Sequence, residues 1–103
     1  MQNFNFNKLS AVELQKNKIT HAEIVSAHDN KNAVWYSISG FPLNECYYFF
    51  IGFTQKFRFL LIYLNYDQED NTLVFHQIKI ADEKQIQELY CKGRFSRISK
   101  RYK

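Results

Sequence analysis

Three runs rich in aromatic and β-branched residues, at 45–53, 57–65 and 72–80, constrain this chain more than any other feature. Each has the length of a strand. The connections between them are short: Thr54-Gln55-Lys56, then a polar loop holding Asp67-Gln68-Glu69-Asp70-Asn71. Parallel neighbours need a crossover of about a dozen residues or more, so these connections predict an antiparallel meander. The first two runs are apolar on both faces, which predicts central strands covered on both sides. A further β-prone run at 33–38 ends in Ser39-Gly40 and predicts one more strand.

Ahead of the strands lie two helix signatures. Ser10 with Glu13, and Thr20 with Glu23, have the S-x-x-E spacing of a capping box. Leu9 with Leu14, and Ile19 with Ile24, have the spacing of the accompanying hydrophobic staple. They predict short helices at 11–17 and 21–28, followed by a turn at Asp29-Asn30-Lys31-Asn32. After the strands, Asp82 and Gln85 make a third box. Ile86, Leu89 and Tyr90 share one helical face, and Lys92-Gly93 marks the end. The order ααββββα predicts an α+β fold: two short N-terminal helices, a four-stranded mainly antiparallel sheet and a C-terminal helix. Its 103 residues, 46% hydrophobic, suit one domain, placed at 1–92.

The formal charge of +4 is unevenly placed. Residues 1–91 hold eight Lys and Arg against ten Asp and Glu, while 92–103 hold six cations and no acid. Basic character therefore belongs to a tail at 93–103, not to the domain. Arg94, Arg97, Lys100 and Arg101 are its candidate nucleic-acid contacts, together with Lys56 in the domain. Phe95, Ile98 and Tyr102 are spaced i, i+3, i+7, as in a short amphipathic helix. A solvated terminus is the plainer reading.

Two cysteines, Cys46 and Cys91, make no disulfide framework and no CxxC pair. The opening Met1-Gln2-Asn3-Phe4-Asn5 lacks a basic segment followed by an apolar one, and the longest apolar stretch is broken by Thr54, Gln55, Lys56 and Arg58. A cytoplasmic protein with no membrane span is the expectation. GxGxxG, GxxxxGK, HExxH and GxSxG motifs are absent, and the three His and two Cys lack zinc spacing. Dinucleotide, nucleoside-triphosphate and zinc-hydrolase chemistry have no motif here, and no cofactor is expected.

Four stretches, taken in order, resemble the BrnT family of toxin–antitoxin ribonucleases. Phe4-Asn5-Phe6-Asn7-Lys8 sits where the family opens with an aromatic-Asp pair and Lys. Residues Leu14 to Glu23 are similar to its Leu-Arg-Lys-His-Gly-Val-Ser-Phe-Glu-Glu helix junction. Ile51-Gly52-Phe53-Thr54 and Phe57-Arg58-Phe59-Leu60 resemble its Ile-Gly-x-Thr…Gly-Arg-x-Leu hairpin. His76 to Asp82 lies where it has Ile-Ser-Ala-Arg-x-Ala-Thr. The departures are definite: the junction His is Asn17, its Gly is Lys18, the Arg before the apolar run of the strand at 45–53 is Tyr47, and the last-strand Arg is Lys79.

The resemblance implies a RelE-like fold and metal-independent RNA cleavage by a toxin whose antitoxin partner covers its active face. A homodimer is a further reading of the exposed aromatics. In the implied mechanism a ribose 2′-hydroxyl attacks the adjacent phosphate. Arg58 and Lys79 neutralise that phosphate, and His76 or Glu45 moves the proton. Lys supplies charge but not the planar fork of Arg, so a degenerate, weakly active relative fits too. The competing reading is a non-catalytic protein- or nucleic-acid-binding module of a phage or mobile element.

Plain structural roles stand beside each candidate. Arg58 can be a strand-end charge, Lys79 an edge-strand guard against aggregation, and Glu45 a solvated carboxylate. Strict alternation puts His76 and Lys79 on opposite faces of the last strand unless a bulge intervenes, and favours a structural His76. His21 and His28 are expected at the surface, Tyr90 in packing, and Tyr47-Tyr48-Phe49-Phe50 in core and partner interface.

Overall fold

The computed structural model describes residues 3–38, 46–91 and 97–98. The chain begins with β1 (Asn3–Asn5), α1 (Ala11–Lys16), α2 (His21–Asp29) and β2 (Val34–Ile38). It continues through β3 (Cys46–Phe53), β4 (Phe59–Asp67) and β5 (Thr72–Ile80) to α3 (Glu83–Gln85), a π-helical segment (Ile86–Cys91) and the two-residue β6 (Arg97–Ile98). The fold is α+β.

The expected meander is present: β2, β3, β4 and β5 pair antiparallel in sequence order. The sheet is larger than the four strands read from sequence. β1 adds to β5 in parallel, and β6 adds antiparallel to β2, giving the order β1-β5-β4-β3-β2-β6. Both additions are too short to show a period of two. β1 joins the sheet because Phe4 packs on the core beside Phe75. β4 starts at Phe59, two residues later than expected, because Phe57 adopts a left-handed φ of 61° and belongs to the turn.

Both N-terminal caps form. The Ser10 hydroxyl accepts from the Glu13 N–H (3.3 Å) and the Thr20 hydroxyl from the Glu23 N–H (3.1 Å). α1 and α2 cover one face of the sheet, where Ile24, Ala27, Trp35, Phe50, Ile62 and Phe75 form the main core. Gly52 admits this contact: a Cβ there would stand 2.5 Å from the Ala27 carbonyl oxygen. His28 is buried, correcting the surface expectation. It shares the inner face of α2 with Ile24 and Ala27, and its ring meets Phe4, Trp35 and Phe50 edge-on.

The opposite face is covered by the C-terminal helical segment, with Tyr36, Ile51, Leu61, Ala81 and Leu89 as its core. Asp82 and Gln85 form the full reciprocal capping box, as expected. The helix does not continue as a regular α-helix: after one turn it widens into the π-helical segment. There the Tyr36 hydroxyl donates to the Leu89 carbonyl, satisfying a helix-end acceptor. Tyr90 packs against Phe59, with ring centroids 4.7 Å apart.

β5 carries a bulge. Gln77 lies opposite Tyr63 but Phe75 lies opposite Leu64, so His76 is the extra residue. The bulge resets the alternation. Leu73 and Phe75 face the helical core, and so does Ile78, opposite Ile62; Ile80, opposite Leu60, is exposed. Gln77 and Lys79 move to the other face, opposite Tyr63 and Leu61.

Candidate functional site

At its bulge β5 borders two hollows. The first is a cleft of about 370 Å³ lined by Ile38, Tyr47, Tyr48, Tyr63, Leu64, His76 and Gln77. That volume is within the roughly 300–1,000 Å³ range of small-ligand pockets. Its walls are mostly apolar and aromatic. Register explains the gathering: Ile38 pairs with Tyr47, Tyr47 with Asn65, and Tyr63 with Gln77, so these residues lie on one face, while Tyr48 and Leu64 belong to the main-core face and border the cleft from there. The helical segment covers only the other half of that face.

His76 Nε2 lies in hydrogen-bond contact with Asn65 Oδ1, and its ring is 5.8 Å from that of Tyr47. The contact with Asn65 fixes the direction of the imidazole.

The second hollow, about 190 Å³, lies between α1 and the outer edge of β5. It is lined by Leu9, Ser10, Glu13, Leu14 and Asn17 from the helical side and by His76, Gln77, Ile78 and Lys79 from the strand. β1 pairs only with Thr72, Leu73 and Val74, so it stops short of this edge. His76 and Gln77 border both hollows; Lys79 borders the second alone. The bulge thus corrects the expectation of His76 and Lys79 on opposite faces: both reach one polar hollow. Glu13 joins them there, a carboxylate that sequence reading took only for a helix box. Asn17 is in the same hollow.

Arg58 lies elsewhere. Its Nε and Nη2 grip the Glu23 carboxylate at 2.7 and 2.6 Å, and Nη2 also donates to the Lys18 carbonyl at 3.1 Å. Glu23 is fully buried and accepts a third bond from the Thr54 hydroxyl at 2.8 Å. Burial alone would push its carboxyl up. The hydrogen bonds from Arg58 and Thr54, with the charges of Arg58 and Lys56, outweigh that and hold it below the ordinary glutamate value. The bond to Glu23 correspondingly raises Arg58, against the opposing effect of its own burial. Lys56 extends the network: its ammonium donates to the Lys18 carbonyl and stands 3.7 Å from Glu23.

The structure does not bring Arg58 and Lys79 together. Arg58 reaches α2 on one face of the sheet, and Lys79 stands opposite Leu61 on the other. Glu45, Arg94, Lys100 and Arg101 lie outside the described residues. Arg97 is described for its backbone only, paired with Tyr36 in β6. Among the described residues no three His, Cys, Asp or Glu side chains converge as a metal-ligand set, and no helix is long and apolar enough to cross a membrane. Compared with protein-family models, curated proteins and solved structures, the chain matches none.

Proposed function

We propose that this chain binds single-stranded RNA and cleaves it without a metal, as a toxin-type endoribonuclease or a weakened relative, with an antitoxin protein as its cytoplasmic partner. The observation that carries this reading is the bulge at His76. It puts an oriented imidazole between an aromatic cleft suited to a base and a polar hollow holding Lys79 and Glu13. Tyr47 and Tyr63 offer ring surface for stacking, which tolerates any base. Lys79 offers the positive charge for the phosphate beside it.

The His76 imidazole takes the proton of a ribose 2′-hydroxyl. The freed oxygen bonds to the adjacent phosphorus, and the bond from phosphorus to the 5′-oxygen breaks. That oxygen leaves with a proton from water, giving a 2′,3′-cyclic phosphate and a 5′-hydroxyl. Lys79 offsets the extra negative charge on the phosphorus centre. Arg58 takes no part in this version, since Glu23 holds its fork.

The test is incubation of the folded protein with single-stranded RNA in a chelator, with product ends read by mass spectrometry. Cyclic-phosphate ends are expected from RNA and no product from DNA. His76→Ala should slow cleavage about 100-fold or more, the usual scale for losing a general base. Folded protein that leaves RNA intact, and whose expression without a partner does not arrest growth, overturns the enzymatic reading. The second reading, a non-catalytic binding module, is favoured by the commitment of Arg58 and Lys56 to Glu23. It predicts retention of RNA or a protein with no product.

A further inference from the structure

Phe57 stands at the tip of the β3–β4 hairpin in a conformation that a bulky residue rarely takes. Its φ is 61°, and 83% of its surface is exposed. The turn is closed by the Phe57 N–H on the Thr54 carbonyl (3.0 Å) and the Thr54 N–H on the Arg58 carbonyl (2.9 Å). Such loops place Gly or Asn at the left-handed position, because a Cβ crowds the backbone there. An aromatic ring at that point loses twice: the backbone is strained and apolar surface is left in water. Its one close ring neighbour among the described residues is Phe53, edge-on at 6.2 Å.

The tip is held from beneath. The Gln55 N–H donates to the Ser26 hydroxyl (3.2 Å) and the Lys56 N–H to the Thr54 hydroxyl (3.1 Å). The Thr54 hydroxyl itself donates to Glu23, which also binds Arg58. The buried carboxylate therefore fixes the backbone of the turn that presents Phe57. Preorganisation of this kind lowers the entropic cost of association.

The geometry points to Phe57 as the anchor of a docking site for a partner protein that offers an apolar pocket rimmed by carboxylates. The carboxylate rim follows from the charges beside the ring. Lys18, Lys56 and Arg58 meet beneath the tip through the Lys18 carbonyl, and the one acid in this network, Glu23, is buried, so the cluster keeps an excess of positive charge. A lipid surface fits poorly: a whole myristoyl chain gives only marginal membrane binding, and one phenyl ring buries less. Single-stranded RNA is usually held by several stacking rings along a cationic groove, and Phe57 is a single ring. One aromatic side chain seated in a pocket is the ordinary hot spot of protein–protein contact. The site is separate from the His76 cleft. Tyr47, in that cleft, is six residues of β3 from Phe53 at the base of the turn, about 20 Å at ~3.3 Å per residue.

The experiment pans a random-peptide display library on the full chain and on Phe57→Gly. Relief of strain should raise the denaturation midpoint of Phe57→Gly, so loss of binding in that variant is not loss of fold. Peptides enriched on the parent chain should combine an apolar cluster with flanking acids. They should bind Phe57→Gly about tenfold more weakly or worse, as expected for a truncated anchor. Lys18→Gly, which keeps the left-handed turn and removes a rim charge, should weaken them by a smaller factor. A lower midpoint for Phe57→Gly overturns the proposal, since the ring then packs rather than strains. Enrichment that is absent or equal on both baits overturns it too. So does Phe57-dependent binding to vesicles of anionic phospholipid, or to oligouridylate, in place of peptide.

Discussion

Lys18 turns the chain left-handed, φ 55°, as it leaves α1. Its N–H donates to the Gln15 carbonyl (3.1 Å), and the Ile19 N–H donates to the Leu14 carbonyl (2.8 Å). These are the paired bonds of a Schellman closure, whose left-handed residue is usually Gly. The motif's geometry is thus met without its usual residue. Lys18→Gly should therefore stabilise the protein by about 0.5–1 kcal/mol, read as a higher midpoint in urea. Arg58 is the reverse case. Removing it strands a buried carboxylate, and Arg58→Met should cost about 3–5 kcal/mol. Glu23→Leu with Arg58→Met should recover much of that, because the burial penalty leaves with the charges. The native Glu23 carboxyl titrates below its unfolded value. Its contribution to stability is thus complete above the ordinary value of about 4.3 and is lost as pH falls through the lower native one. Acid titration of the midpoint should show this loss in the parent chain and a smaller one in the double variant. From sequence Glu23 read as half of a capping box. Its contacts with Thr54 and Arg58, 31 and 35 residues away, have no local pattern to betray them.

At the scale of elements, legibility followed length and locality. β3, β4 and β5 were readable because eight or nine residues of aromatic and β-branched character outweigh any local ambiguity. The caps at Ser10, Thr20 and Asp82 were readable because their chemistry is complete within four residues. The bulge was not. A stretch that reads Leu73, Val74, Phe75, His76, Gln77, Ile78 is consistent with either alternation, and only the partner strand decides where the extra residue falls. That one residue decides whether His76 and Lys79 share a hollow, so the candidate site was legible in its members and not in its assembly. It also blunts the part of β5 that β1 leaves uncovered, with Lys79 beside it. Packing between elements is testable at Gly52, where α2 rests on β3 with no room for a methyl group. Gly52→Ala should lower the denaturation midpoint by the equivalent of about 1–3 kcal/mol, with the slope unchanged if the fold survives.

Across the whole molecule the two faces of the sheet divide the work. One is closed by α1 and α2 over the larger core, and Arg58 secures it. The other is only half closed, by the C-terminal segment, and the His76 cleft occupies the rest. The cationic C-terminal stretch touches this plan at one point: Ile98 and Arg97 pair with Trp35 and Tyr36, extending the sheet past β2. Deleting 93–103 would therefore remove an edge strand as well as charge, and lost RNA retention would not separate the two effects. Exchanging Arg94, Lys100 and Arg101 for Gln removes charge and leaves β6 its sequence. Each phosphate contact on a single strand contributes about 0.7 to the slope of log affinity against log salt concentration. If these three cations hold RNA, the triple variant's slope should be shallower by up to about 2, with weaker binding at low salt. Cleavage at saturating RNA should be unchanged, since in the proposed mechanism the proton and the phosphate charge are handled by His76 and Lys79. An unchanged slope would move RNA affinity back to the domain, whose first 91 residues carry more acids than bases and place Lys79 as the cation of the polar hollow.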